Sequence, residues 1–192
     1  MKTGVDQWVE ESGESILKYI GVKKGQKVLD FGCGSGNYTI PAARVVGEQA
    51  LVYALDEDKQ TLDQLMSKAQ SVGLKNITRV DTSDKATIKL VNESVDVVLL
   101  YDVLHYYYFS EEKDRRKLLS EVYRVLKPDG LLSFYPTHLE SHMEPRLNDV
   151  KGEIEESNFC EENEYTGMIM VHDGNLETGR VINFRKGNTI TR

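Results

Sequence analysis

The sequence predicts an α/β fold: a single domain over residues 1–192, built as a doubly wound, open, seven-stranded sheet, mostly parallel and closed by a C-terminal antiparallel hairpin. Three observations predict it. Short apolar or β-branched runs alternate with stretches of helical periodicity from Val28 to Tyr135, the pattern of successive strand–helix–strand units. The run Val95–Leu100 is apolar at nearly every position, as a central strand covered on both faces must be. Two late β-like runs, Glu164–His172 and Arg180–Arg185, flank Asp173-Gly174-Asn175 and further polar residues, a hairpin signal with a connection longer than two residues.

Composition bounds the function. A chain of 192 residues with 40% hydrophobic and 29% charged residues can bury one sizeable core. Its formal charge of −7 disfavours a nucleic-acid backbone as partner. The basic cluster Lys113–Lys117 contains Asp114 and reads as a solvated helix face. Two cysteines, Cys33 and Cys160, make neither a disulfide framework nor a CxxC metal site, so a reducing compartment, the cytoplasm, is the expected location. No N-terminal signal is recognisable, and Val95–Leu104, interrupted by two aspartates, is too short to span a bilayer; no membrane partner is expected.

Taken in order, residues 4–20 place Val5, Trp8, Val9, Ile16 and Ile20 near one face of an amphipathic helix, expected to cover the site; Trp8 is either part of a roof over substrate or a packing anchor. Gly21–Gln26 connects it to the first strand, Val28 and Leu29, which stops at Asp30-Phe31-Gly32-Cys33-Gly34-Ser35-Gly36. Three glycines at alternate positions tolerate positive φ and leave the main-chain amides of a strand-to-helix turn open to a polar cofactor. Asn37–Val46 forms the crossover helix, with Pro41 tolerated near its start.

The second strand, Ala50–Leu55, runs into Asp56-Glu57-Asp58. In an open parallel sheet an acid at this place can accept both hydroxyls of a ribose, which assigns Asp56 that role and leaves Asp58 as the N-cap of a helix carrying Leu62, Leu65, Met66, Ala69 and Val72. Gly73 ends that helix. A third strand, Asn76–Val80, ends in Asp81-Thr82-Ser83, residues that suit either ligand contacts or helix capping.

Beyond Val95–Leu100 lies Tyr101-Asp102-Val103-Leu104-His105-Tyr106-Tyr107-Tyr108-Phe109, where a substrate side begins. His105 is a candidate general base or a packed wall residue, and the aromatic run offers ring faces to a cation or an apolar substrate. Glu111–Leu126 is an amphipathic helix, broken by Lys127-Pro128-Asp129-Gly130 before a fifth strand, Leu131–Tyr135. Pro136–Pro145 is a candidate substrate loop; His138 and His142 with Glu140 and Glu144 lack the H-E-x-x-H order, and no metal is predicted. Arg146–Phe159 reads as a last helix, and Lys186–Arg192 as a loose end.

The glycine turn decides between cofactors. A dinucleotide site wants G-x-G-x-x-G, whereas the third position after Gly34 is Asn37, and Asp30 just ahead of the glycines would repel a pyrophosphate. The stretch Val28–Gly36 resembles the first motif of the class I S-adenosylmethionine-dependent methyltransferases, whose cofactor brings a sulfonium and an ammonium. Leu126–Leu132 is similar to the helix-to-strand turn of the same superfamily. Asp96–Leu100 with Val103-Leu104-His105 is similar to its small-molecule members of the ubiquinone and menaquinone biosynthesis type, and differs from the Asn-Pro-Pro-Tyr arrangement of nucleobase amino methylation.

The resemblance implies a Rossmann-like sheet and an enzyme that moves a methyl group from S-adenosylmethionine to a small-molecule acceptor. It implies that Asp30, Phe31, Gly32, Cys33, Gly34, Gly36 and Tyr38 hold the methionine part. Asp56 and Glu57 would then take the ribose, Asp81 and Thr82 the adenine, and Tyr101 and His105 would stand at the reacting centre. Two rivals remain, a nicotinamide-dependent oxidoreductase on a similar sheet and a cofactor-binding module without catalysis.

Overall fold

A computed structural model describes residues 3–82, 84–139 and 144–187. Its strands are β1 (Val28–Phe31), β2 (Val52–Asp56), β3 (Ile77–Asp81), β4 (Val95–Tyr101), β5 (Leu126–Tyr135), β6 (Phe159–His172) and β7 (Asn175–Lys186). They form one sheet in the order β3-β2-β1-β4-β5-β7-β6. The first five are parallel, and β7 runs antiparallel to both β5 and β6. Chain order reverses between β1 and β4, so a crevice opens beyond the carboxyl ends of these strands, where open sheets bind ligands.

Helices cover both faces, which is why β4 is apolar from Val97 to Leu100 and carries its one charged residue, Asp96, near its start. Alternate residues point to opposite sides: Val97 and Leu99 join a core with Leu17, Ile40 and Leu62, while Val98 and Leu100 join a second core with Leu118, Val122 and Ile154. The first core is roofed by α1 (Gly4–Gln7), α2 (Gly13–Tyr19), α3 (Thr39–Val46) and α4 (Lys59–Ser71). The second is covered by α6 (Glu112–Val125) and α7 (Leu147–Glu156), with α5 (Tyr106–Phe109) at its edge. Helices α6 and α7 are tied by a buried ion pair, Arg115 Nη2 to Glu153 Oε1 at 2.6 Å.

Several boundaries differ from the sequence reading for identifiable reasons. The expected N-terminal helix is interrupted by a π-helical stretch, Trp8–Ser12, whose wider turn accompanies Gly13 packed under the Trp8 ring. Residues Lys127–Gly130 are the expected break: pairing with β4 jumps from Val95–Leu126 to Val97–Leu131, so they bulge out of the ladder. The hairpin strands are longer than expected, and their turn is the two residues Asp173 and Gly174, at φ 48° and 71°, the left-handed pair of a tight hairpin. The aromatic run after β4 forms α5, with the His105 side chain as N-cap, accepting from the Tyr107 amide. Ser83, Glu140 and His142, named above as cap and loop candidates, and most of the tail after Lys186 lie outside the described residues.

Candidate functional site

At the crevice lies a cavity of about 300 Å³ built from the ends of three strands and from α5: Phe31, Gly32 and Gly34 at the end of β1, Leu55, Asp56 and Glu57 at the end of β2, Tyr101, Asp102 and Val103 at the end of β4, and Tyr107, Tyr108 and Phe109 of α5. Thr82 and Lys85 close the far side. Three carboxylates, Asp56, Glu57 and Asp102, face one ammonium, Lys85, so the lining suits a cationic ligand and opposes a pyrophosphate.

The glycine turn is fixed by its backbone. The amides of Gly32 and Cys33 both donate to the Leu55 carbonyl, at 2.8 and 3.0 Å, and anchor the turn to β2. Gly36, at φ 85°, leaves no room for a side chain unless Leu65 moves, because a Cβ there would lie 2.1 Å from Leu65 Cδ1. Gly34 differs: at φ 49° its absent Cβ would meet nothing, since it borders the cavity. Its amide donates to Asp56 Oδ2 at 2.8 Å, while Asp56 Oδ1 accepts from the Asp58 amide at 3.0 Å. The β2 carboxylate is thus locked across the turn, with each oxygen keeping a lone pair for a ligand.

Asp30 sits behind the turn, buried, accepting from the Thr39 hydroxyl at 2.6 Å. Burial lifts its carboxyl to about 7, the Thr39 hydrogen bond opposes the rise, and the nearby charge of Asp56 adds to it. Cys33, also buried, has a thiol pushed far up by desolvation and by the negative charges of Asp30 and Asp56, so it is an inert packing residue.

The structure brings Phe31, Gly32, Gly34, Asp56, Glu57, Thr82 and Tyr101 to the cavity wall, and leaves Asp30, Cys33, Gly36, Tyr38, Asp81 and His105 off it. The Tyr38 hydroxyl donates to the Val171 carbonyl at 2.8 Å and accepts from its amide at 2.9 Å, pinning the start of α3 to β6. Asp81 turns outward to Arg79, its Oδ1 2.8 Å from Nε. Trp8 is the packing anchor, not a roof: it is buried, stacks edge-on against Tyr38 at 5.2 Å and donates to the Ile169 carbonyl. Among the described residues, none of 3–20 lines the cavity.

Both residues expected at the reacting centre have their polar atoms engaged. The Tyr101 ring lines the cavity, yet its hydroxyl is paired with Ser133 at 2.8 Å, and burial raises its ionisation far out of reach. His105 is buried, its Nδ1 taking the Tyr107 amide at 3.3 Å and its Nε2 lying 3.2 Å from both the Asp102 carbonyl and Asp102 Oδ1. That geometry suits a wall and capping residue better than a base.

Sequence reasoning missed Asp102, Lys85, His172 and Glu177. Asp102 Oδ1 accepts from the Thr137 hydroxyl and lies within 4 Å of His105, His138 and His172. Burial works to raise the Asp102 carboxyl, but the hydrogen bonds from His105 and Thr137 and the neighbouring His172 outweigh it and hold the group below the usual carboxylate range. The only available sequence signal was its place, one residue past β4; the convergence with His172 depends on hairpin register.

A family model described as a methyltransferase domain matches residues 29–134, from β1 through β5. A demethylmenaquinone methyltransferase of Lactobacillus johnsonii is 31% identical over 124 residues, 65% of this chain and 49% of that protein. A ubiquinone/menaquinone biosynthesis C-methyltransferase of Haemophilus ducreyi is 30% identical over 58% of this chain and 41% of its own length. The chain thus spans about half the length of the curated relatives it matches. The fold is that of a methyltransferase from Aquifex aeolicus, with a TM-score of 0.72 at 22% identity over 94% of this chain and 92% of that one. The family model covers more than half of the chain, including the glycine turn and the Asp56 carboxylate: the chain belongs to the class I S-adenosylmethionine-dependent methyltransferase family.

Proposed function

We propose that this protein transfers a methyl group from S-adenosylmethionine to a small, largely apolar acceptor of phenolic or hydroquinone type. The observation that carries the reading is the Asp56 carboxylate, held across the glycine turn by the Gly34 amide inside an acid-lined cavity. When bound, the cofactor supplies a methyl carbon already activated by its sulfonium, so the protein needs to align and desolvate rather than to generate a strong nucleophile.

The residues divide accordingly. Asp56 takes the ribose hydroxyls, with Glu57 beside it; Gly32 and Gly34 let the turn approach the methionine part, and Thr82 borders the base. Asp30, although off the wall, lies beneath the turn with its carboxyl raised by burial to about 7, where a bound cation would favour its ionised form. The ring faces of Tyr101, Tyr107, Tyr108 and Phe109 form the acceptor side, where they attract the sulfonium and pack against an aromatic substrate. The names of the matched quinone methyltransferases support that acceptor class. Two free cysteines and the absence of any helix, among the described residues, long and apolar enough to cross a membrane support a cytoplasmic setting.

Calorimetry with S-adenosylmethionine tests the assignment: Asp56→Ala, folded at the assay temperature despite losing the hydrogen bonds from the Gly34 and Asp58 amides, should lose affinity at least tenfold, about 1.4 kcal/mol. Equal affinity in the variant refutes it. Turnover with a panel of phenols, hydroquinones and amines then identifies the acceptor.

A further inference from the structure

At the edge of the sheet where β4, β5 and β6 all end, three imidazoles converge on one carboxylate. Asp102 follows β4, His138 follows β5 and His172 closes β6. Asp102 Oδ1 lies 3.5 Å from His172 Nε2 and 3.8 Å from His138 Nε2, and the two Nε2 atoms are 2.9 Å apart. We propose that Asp102, His138 and His172 bind a divalent transition-metal ion of the zinc type at the edge of the cofactor cavity.

The geometry points to this directly. A circle through three atoms separated by 2.9, 3.5 and 3.8 Å has a radius of about 2.0 Å, so one point is equidistant from all three at the usual Zn–N and Zn–carboxylate distance. Two imidazoles and one carboxylate select zinc, iron(II) or a neighbour in that series over magnesium or calcium, which prefer all-oxygen sites. The supporting shell is present. Glu177 Oε2 lies 3.2 Å from His172 Nδ1 and fixes the ring with Nε2 turned inward, while the Tyr135 hydroxyl donates to the other oxygen of the same carboxylate.

His105 supports the site instead of joining it. Its Nδ1 accepts from the Tyr107 amide, so the neutral ring carries its proton on Nε2, which donates to Asp102. The Asp102 carbonyl, 3.2 Å from that nitrogen, can accept this hydrogen bond and leave Oδ1 to the metal and the Thr137 hydroxyl.

Placement suggests a use. Asp102 lines the cofactor cavity, whereas His138 and His172 line a second cleft with Thr137, Glu177 and Arg180. Three protein ligands leave a coordination position open between the two clefts, as in catalytic metal sites, and there an acceptor oxygen can bind.

Chelator-stripped full-length protein titrated with Zn2+ by calorimetry should bind one equivalent, and Co2+ should give the visible bands of a low-coordinate nitrogen and oxygen site. His138→Ala with His172→Ala should abolish both signals, and Glu177→Gln should weaken Zn2+ by about 10–100-fold. S-Adenosylmethionine affinity, measured on the same samples, is expected to stay unchanged, which separates this site from the cofactor assignment. No Zn2+ uptake by the unsubstituted protein, or uptake that survives the double substitution, overturns the proposal. X-ray absorption of the unsubstituted Zn2+ complex decides the matter even where the double variant does not fold: two imidazole shells support the site, and fewer than two refute it.

Discussion

Replacing Asp30 by Asn should make the folded protein more stable, and increasingly so as pH rises. In the folded chain this carboxyl ionises only at about 7, against 3.8 in the unfolded chain, because burial outweighs the hydrogen bond from Thr39. Below about pH 3 the group is protonated in both states and costs nothing. Between pH 4 and 7 the unfolded chain ionises while the folded one does not, so stability falls as pH climbs from the unfolded value and levels off once it passes the folded one. The full penalty, about 4 kcal/mol for a gap of some three units, stands above pH 7. Asn keeps the shape and an acceptor for Thr39 without the charge. For a chain of this length the difference in Tm between Asp30→Asn and the parent should grow from near zero at pH 4 to about 10 °C at pH 8. Paired melting curves across that range measure it, and the other titrating groups cancel because both proteins share them. A difference that stays constant with pH refutes the reasoning. On the proposed cofactor assignment the same substitution should also weaken S-adenosylmethionine binding, because it removes the ionisable carboxyl directly beneath the glycine turn.

Three further outcomes follow from particular contacts. Gly36→Ala forces a Cβ into Leu65 at a left-handed φ and should cost about 2–4 kcal/mol in chemical denaturation; a loss under 0.5 kcal/mol contradicts the packing described. Arg115→Met leaves Glu153 buried without its partner and should cost about 3–5 kcal/mol, most of it recovered in the double variant with Glu153→Leu. His105→Ala should lower stability by about 1–3 kcal/mol through loss of the α5 cap and its packing, while the pH profile of turnover keeps its shape. Disappearance of an ionisation near neutrality from that profile would instead make His105 a base.

The ladder of β1, β2, β4 and β5 was legible because each strand is a local apolar run and each helix a local stripe; the signal and the structure share one length scale. The glycine turn was legible for a similar reason, since Gly32, Gly34 and Gly36 fall inside seven residues and each has a positive φ. Contacts between distant segments were not. Tyr38 looked like a cofactor residue from its place after the turn, but its hydroxyl is claimed by Val171, 133 positions away. Asp81 stands where the resemblance puts an adenine ligand, but its carboxylate pairs with Arg79, which is itself held by Asp63 from α4.

The same reasoning explains why His138 was readable only as one member of a scattered loop. Its neighbours in sequence, Glu140 and His142, suggested a metal set that lacks any motif spacing, whereas its neighbours in space are Asp102 and His172, from strands that enter the sheet by opposite routes. Parallel pairing of β4 with β5 puts Asp102 and His138 at one end of the sheet, and the antiparallel hairpin returns the last residue of β6 to that end. A cluster assembled by topology in this way has no spacing to read. It becomes visible only once the hairpin register, His172 opposite Asn175 across the Asp173-Gly174 turn, is fixed. Shifting that register by one residue would turn the His172 side chain to the opposite face and dissolve the cluster, so a tight two-residue turn is a condition of the site as much as of the sheet.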